Sequence, residues 1–159
     1  MSLYDQKQKL YMDYIKVLNT YRRGGEPVMS QDDAKDICDF YVNTDDAKRI
    51  NIFADDGELA GFLIIGKHNK EVHKDADYAV AQAYIDPKYR HQGLMTEAVE
   101  DYVGNHPGVW SLLVMQRNNY AKEFWPNLFE KLGGRSIPMD MSDVVDDGDM
   151  LICFGWVVE

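Results

Sequence analysis

The chain has 159 residues, a formal net charge of −10 and a hydrophobic fraction of 45%. These values describe one globular domain over residues 1–159 with room for a proper core, and they exclude a disordered chain, a membrane-spanning one and a general nucleic-acid binder, which needs a basic footprint. The two cysteines, Cys38 and Cys153, fit neither a metal spacing nor a disulfide framework and read as thiols of a reducing cytoplasm.

In chain order, Leu3, Leu10, Tyr11, Tyr14, Ile15, Leu18 and Tyr21 recur at helical spacing, and Gly24, Gly25 and Pro27 stop the helix. Ser30 with Asp33 has the form of a capping box and opens a second helix with Ala34, Ile37, Cys38 and Tyr41 on one face. Arg49 to Ala54 and Leu59 to Ile65 are apolar runs joined through Asp55-Asp56-Gly57, a hairpin signal. Lys67 to Asp77 is polar and reads as a loop, with His68 and His73 on its surface.

Tyr78 to Ile85 reads as a strand, Thr96 to Val103 as a helix, and Asn105-His106-Pro107-Gly108 as its break. Val109 to Met115 is a buried strand, and Ala121 to Leu132 is helical, with Phe124, Trp125, Leu128, Phe129 and Leu132 on one side. Ser136 to Met139 and Met150 to Val158 are the last strands, separated by a loop holding Asp140, Asp143, Asp146, Asp147 and Asp149. The fold class is α/β or α+β with a mixed sheet. The Asp-rich loop lacks the spacing of a calcium loop, and no metal site is expected.

The stretch from Pro87 to Thr96 places Lys88, Arg90 and His91 before a helix start, with Gly93 among them, in an otherwise acidic chain. The first N–H groups of a helix lack internal partners and lie at the positive end of its dipole, so beyond a strand end they form an anion site. Gly93 lets a ligand approach the backbone without a Cβ in the way. The two common phosphate loops, Gly-x-x-x-x-Gly-Lys-Ser/Thr and Gly-x-Gly-x-x-Gly, are absent. The other reading of the same residues is a plain turn with a solvated basic rim.

The segment Ala83-Tyr84-Ile85-Asp86-Pro87-Lys88-Tyr89-Arg90-His91-Gln92-Gly93-Leu94-Met95 resembles the acetyl-coenzyme A loop of the GNAT superfamily of N-acetyltransferases. Arg90 and Gly93 fit its Gln/Arg-x-x-Gly-x-Gly/Ala pattern, and Met95 departs from it where Gly or Ala is usual. Asn118-Asn119-Tyr120-Ala121, Phe124-Trp125 and Lys131-Leu132-Gly133-Gly134 resemble the later motif of the same family, and Gly61-Phe62 its hairpin. The matching features run from Ile50 to Ile137 in the family's order. An initial short strand, usual in the family, is not found, and a helix stands in its place.

The resemblance implies a mixed, mostly antiparallel sheet flanked by helices, with two central strands splayed apart around the pantetheine arm of acetyl-coenzyme A (acetyl-CoA), the acyl donor. It implies donor contacts from the backbones of Tyr84 and Ile85, from the loop Arg90, His91, Gln92, Gly93, Leu94, Met95 and Thr96, and from Asn118 or Asn119. Asn119 reads equally as an ordinary helix N-cap. For catalysis the family often has a tyrosine in the later helix, and here Trp125 or Phe129 takes its place, leaving Tyr120 as the substitute acid. Gln82 stands where many members have a glutamate; it can orient a water but cannot be a base, and Asp77 is the nearest carboxylate in sequence.

The implied activity is acetyl transfer to a primary amine of a small molecule or peptide, in the cytoplasm, with no nucleic-acid or membrane partner and with a homodimer allowed. The alternative is a catalytically weak domain of this fold that binds coenzyme A or a protein partner. The acidic loop between the last two strands adds the expectation of a cationic acceptor, such as a polyamine, an aminoglycoside or a basic peptide end, against a solvated loop that serves solubility.

Overall fold

The computed structural model describes residues 1–22, 27, 29–43, 47–66, 76–138 and 151–159. The expected Gly24-Gly25 stop, most of the 67–77 loop and the whole Asp140–Asp149 loop lie outside the described residues. The elements are α1 (Leu3–Thr20), α2 (Gln31–Asn43), β1 (Ala47–Phe53), β2 (Leu59–Gly66), β3 (Tyr78–Ile85), α3 (Leu94–Gly104), β4 (Gly108–Met115), α4 (Asn119–Lys131), β5 (Arg135–Ile137) and β6 (Leu151–Val158). They build a six-stranded sheet in the order β1-β2-β3-β4-β6-β5, antiparallel everywhere except between β3 and β4.

The expected elements form, each within a few residues of its sequence bounds, because the local signals act as read. Asp33 donates its N–H to Ser30 Oγ at 3.1 Å and opens α2. Gly57, at φ +84°, turns the β1–β2 hairpin and donates to the Ala54 carbonyl at 2.9 Å. No strand precedes α1 among the described residues.

Each face of the sheet buries its own apolar layer. Leu10, Tyr11 and Ile15 of α1 and Ala34 and Cys38 of α2 pack on Leu59, Phe62, Ile64 and Tyr84. On the other face, Val99 and Val103 of α3 and Trp125, Leu128 and Phe129 of α4 pack on Leu63, Val80, Trp110, Leu112, Val114 and Trp156. Trp125 and Phe129 are therefore core residues, 6% and 0% exposed. The Phe129 ring stacks on Trp156 with centroids 4.2 Å apart.

Candidate active site

The two parallel strands stay together for only part of their length. Their pairing covers Tyr78↔Trp110, Ala79↔Ser111 and Val80↔Leu112 and goes no further, although β3 continues to Ile85 and β4 to Met115. At that point the register of β3 against β2 also shifts, from Ile65↔Val80 to Ile64↔Gln82, which leaves Ala81 as an extra residue. A bulge of this kind bends its strand and increases the local twist. Beyond it β3 follows β2 while β4 follows β6, and a cleft opens between their C-terminal ends. Just past the end of α1, the Arg22 carbonyl meets Arg117 Nη1 beyond the end of β4, at 3.4 Å, while Tyr14 of α1 reaches the Tyr84 ring on β3 at 5.9 Å. The last turns of α1 thus reach the ends of both splayed strands.

The loop from β3 to α3 is held in one shape. Asp86 Oδ1 accepts the Lys88 N–H at 3.1 Å, and the Asp86 N–H donates to the Ala60 carbonyl at 2.8 Å. Tyr89 Oη donates to Asp56 Oδ2 in the β1–β2 turn at 2.9 Å. That bond pushes the Tyr89 phenol up to about 12, while the Glu58 N–H first, and then Tyr89, hold the Asp56 carboxyl below its usual value. His91 and Gly93 both take left-handed conformations, φ 63° and 76°, and carry the chain into α3. Gly93 is the N-cap and supplies no side-chain cap, so the N–H groups of Leu94, Met95 and Thr96 have no partner within the helix or from the cap. A Cβ built at Gly93 meets nothing within 4 Å.

Several expectations change in detail. The α3 helix opens at Leu94 and not at Thr96, because Gly93 already supplies the left-handed entry. The Arg90 N–H is taken up by the Pro87 carbonyl at 3.3 Å, so the free donors start after it. The Arg90 side chain turns back, donating from Nε to the Ile85 carbonyl at 2.9 Å and lying 5.5 Å from the centre of the Tyr84 ring. Tyr84 itself is buried, with its carbonyl against Gly61. Met95 packs its side chain against the core on the α3 and α4 face of the sheet. His91 and Gln92 lie exposed on the rim.

The helix after β4 is capped by Asn118 and not by Asn119. Asn118 Oδ1 accepts the Ala121 N–H at 3.1 Å, a cap that does not use its NH₂ group, and Asn119 is the first helical residue. Tyr120 is 66% exposed at the start of the same helix and stacks on Phe124 at 5.5 Å.

Asp77 is not brought to the cleft. It lies at the closed end of the strand pair, where Oδ2 accepts the Val109 N–H at 2.8 Å and its own N–H donates to the Val109 carbonyl at 2.8 Å. Along β3 it stands five residues before Gln82, roughly 16 Å of strand rise, with its carboxylate engaged by the Val109 N–H. Gln82 is at the cleft, two residues past the last β3–β4 pair, and its Oε1 is buried without a hydrogen-bond partner among the described residues.

Sequence reasoning passed over two residues of this region. Ser111 is 1% exposed, one residue before the last β3–β4 pair, and its Oγ has no partner among the described residues. Arg49, on β1, has its guanidinium 4.8 Å from the centre of the Phe62 ring, with Nε donating to Asn51 Oδ1 at 3.0 Å. Burial pushes the Arg49 pKa down, and the adjoining Cys38 opposes that shift. Beside Lys48 and Asn51 on the same strand, Arg49 carries no distinct sequence signal. Among the described residues, no group of three or more His, Cys, Asp or Glu side chains is placed to hold a metal, and no helix is long and apolar enough to cross a membrane.

With this geometry in place, comparison with known proteins is informative. Residues 8–129 match the model of the acetyltransferase (GNAT) family. An acetyltransferase of the GNAT family from Bacillus anthracis shares the fold at TM-score 0.63 and 14% identity, covering 98% of this chain and 87% of its own. An acetyltransferase from Thermus thermophilus gives 0.63 and 16%, covering 96% and 88%. A spermidine N-acetyltransferase from Vibrio cholerae, solved with CoA and spermine, gives 0.63 and 14%, covering 99% and 91%. No curated protein matches the chain.

Proposed function

Because the chain belongs to the GNAT acetyltransferase family, we propose that it transfers an acetyl group from acetyl-CoA to a primary amine. The observation that carries this reading is the meeting of two features at one place. The β3–β4 pair opens beyond Val80↔Leu112, and the uncapped start of α3 stands at the mouth of the opening.

In this reading the pyrophosphate of the donor rests on the N–H groups of Leu94, Met95 and Thr96, reached through the left-handed turn at His91 and Gly93. Charge-assisted bonds of this type contribute about 1.5–3 kcal/mol each. The pantetheine lies along the unpaired edge of β3 up to Ile85, with the Asn118 NH₂ group at the other wall. The amine nitrogen attacks the thioester carbonyl, the C–S bond breaks, and coenzyme A leaves as thiolate. One proton of the ammonium is removed to water before attack, and the second that the nitrogen sheds as the amide forms passes to the thiolate, giving coenzyme A as the thiol. Gln82 orients a water for the first of these transfers and does not take the proton itself.

Buried Trp125 and Phe129 at the positions of the family's tyrosine, with glutamine at 82, favour a second reading, a slow or inactive domain that retains coenzyme A binding. Thiol release from acetyl-CoA, measured with a panel of amines and peptides, separates the two. Release dependent on an amine supports transfer. Tight binding of acetyl-CoA by calorimetry with no release for any member supports the binding domain.

A further inference from the structure

Four buried polar atoms in the layer under α1 and α2 lack partners among the described residues: Arg49 Nη1 and Nη2, Gln82 Oε1 and Ser111 Oγ. All four belong to one face of the sheet. Arg49 lies over Phe62, which packs with α1 and α2. Gln82 stands two residues before Tyr84 of the same layer. Ser111 alternates with Trp110 and Leu112, which face α3 and α4. Arg49 and Gln82 stand at one level across the strands, since Arg49 pairs with Ile64 and Ile64 with Gln82, while Ser111, opposite Ala79, lies three β3 residues lower, below the bulge.

A buried guanidinium without a carboxylate is costly, as is an unpartnered amide oxygen. No carboxylate of the described residues pairs with Arg49. The donors and acceptors are also sorted. The guanidinium offers two N–H edges above β2, and the acceptors flank the apex of the cleft on β3 and β4, where the acetyl carbonyl of the proposed donor would lie. The guanidinium lies over Phe62 of β2 and Gln82 is on the next strand, ~5 Å across, so a short molecule spans from one to the other, whereas Ser111 is one strand further.

From this sorting, and resting on the acetyl-transfer reading above, we infer that the acceptor is a small amino acid or similar amino-carboxylate. Its carboxylate takes the Arg49 fork, and its amine sits against Gln82 Oε1. A polyamine has no group for Arg49 and meets a buried like charge there. The Arg49 nitrogens are enclosed, so admission of the carboxylate requires α1 and α2 to shift from the sheet. The two helices are joined by bonds of Asp39 Oδ1 with Tyr4 Oη at 2.9 Å and Gln8 Nε2 at 2.8 Å and would shift together.

The test compares the twenty standard amino acids with their carboxamides, which keep the amine and lose the charge. Thiol release from acetyl-CoA is expected to favour the acids by roughly a hundredfold in kcat/KM. Arg49→Lys keeps the charge without the fork, and Arg49→Met removes both. Each should cut that preference at least tenfold while acetyl-CoA affinity is unchanged. Carboxamides or polyamines used as well as the acids, or a preference that survives both substitutions, overturns the inference and leaves the acetyl-transfer reading standing. Thermal unfolding supplies an arm without turnover. If no amine releases thiol, acetyl transfer fails, yet a melting shift given by an acid and not its carboxamide, and lost in Arg49→Met, still supports the carboxylate site. No shift and no turnover with any acid overturns it.

Discussion

Tyr89 of the donor loop and Asp56 of the β1–β2 turn are bonded at 2.9 Å across 33 residues of sequence. The same turn carboxylate accepts the Glu58 N–H at 2.9 Å through its other oxygen. The hairpin therefore braces the loop that leads into α3. Tyr89→Phe is expected to weaken acetyl-CoA binding by roughly two- to fivefold, the worth of one exposed hydrogen bond, with little change in denaturation midpoint. Calorimetry on the two proteins checks this; equal affinities would mean that the brace does not position the loop.

The same bond sets a pH signature. The Tyr89 phenol is raised to about 12, so its contribution is whole below the ordinary tyrosine value near 10 and is lost as pH rises towards 12. Asp56 is depressed, so its contribution is whole above the ordinary aspartate range and is lost as pH falls through the lowered value. The brace is intact across neutral pH. An ultraviolet difference titration of wild type against Tyr89→Phe should show one tyrosine ionising well above 10. Ionisation near 10 in that difference would contradict a bond held in solution.

Gly93 combines a positive φ with open space at its missing Cβ. Gly93→Ala is expected to cost about 1–2 kcal/mol of stability from conformation alone. Gly93→Glu should fold as well as the alanine variant and lose acetyl-CoA affinity by at least about tenfold, because a carboxylate then faces the anion site. Unchanged affinity in Gly93→Glu would show that the pyrophosphate does not use this loop.

Gly61 on β2 is required for a different reason. A Cβ there would collide with the Tyr84 carbonyl oxygen and come within 2.7 Å of Ile85 Cδ1. Gly61→Ala must push β3 away from β2, at an expected cost of about 1–3 kcal/mol. Urea denaturation measures it, and a neutral substitution would mean that the β2–β3 approach is looser than the structure has it.

Tyr120 is the one tyrosine left to act as the acid in the family's later motif, and it stands exposed. The thiolate is expected to leave unassisted or through water, so Tyr120→Phe should retain turnover within about tenfold. A loss of two orders of magnitude with acetyl-CoA affinity kept would make Tyr120 the acid.

Local chemistry made much of this protein legible in its sequence. Periodicity placed the helices and strands, Ser30 and Gly57 marked an entry and a turn, and Gly93 marked the left-handed entry into α3, because each of these signals acts within a few residues of chain. Three things were decided only by the tertiary structure. Asp77 looked near the chemistry because it adjoins β3, yet direction along a strand, which residue proximity does not encode, puts it at the closed end. The identity of the cap, Asn118 over Asn119, rested on which side chain reached the Ala121 N–H. Arg49 and Ser111 lie far apart in the chain, on β1 and β4, and share a buried layer with Gln82 only because sheet order and register set their faces side by side. Pairing across a sheet is a long-range choice, fixed by the burial of whole faces, and no local pattern records it.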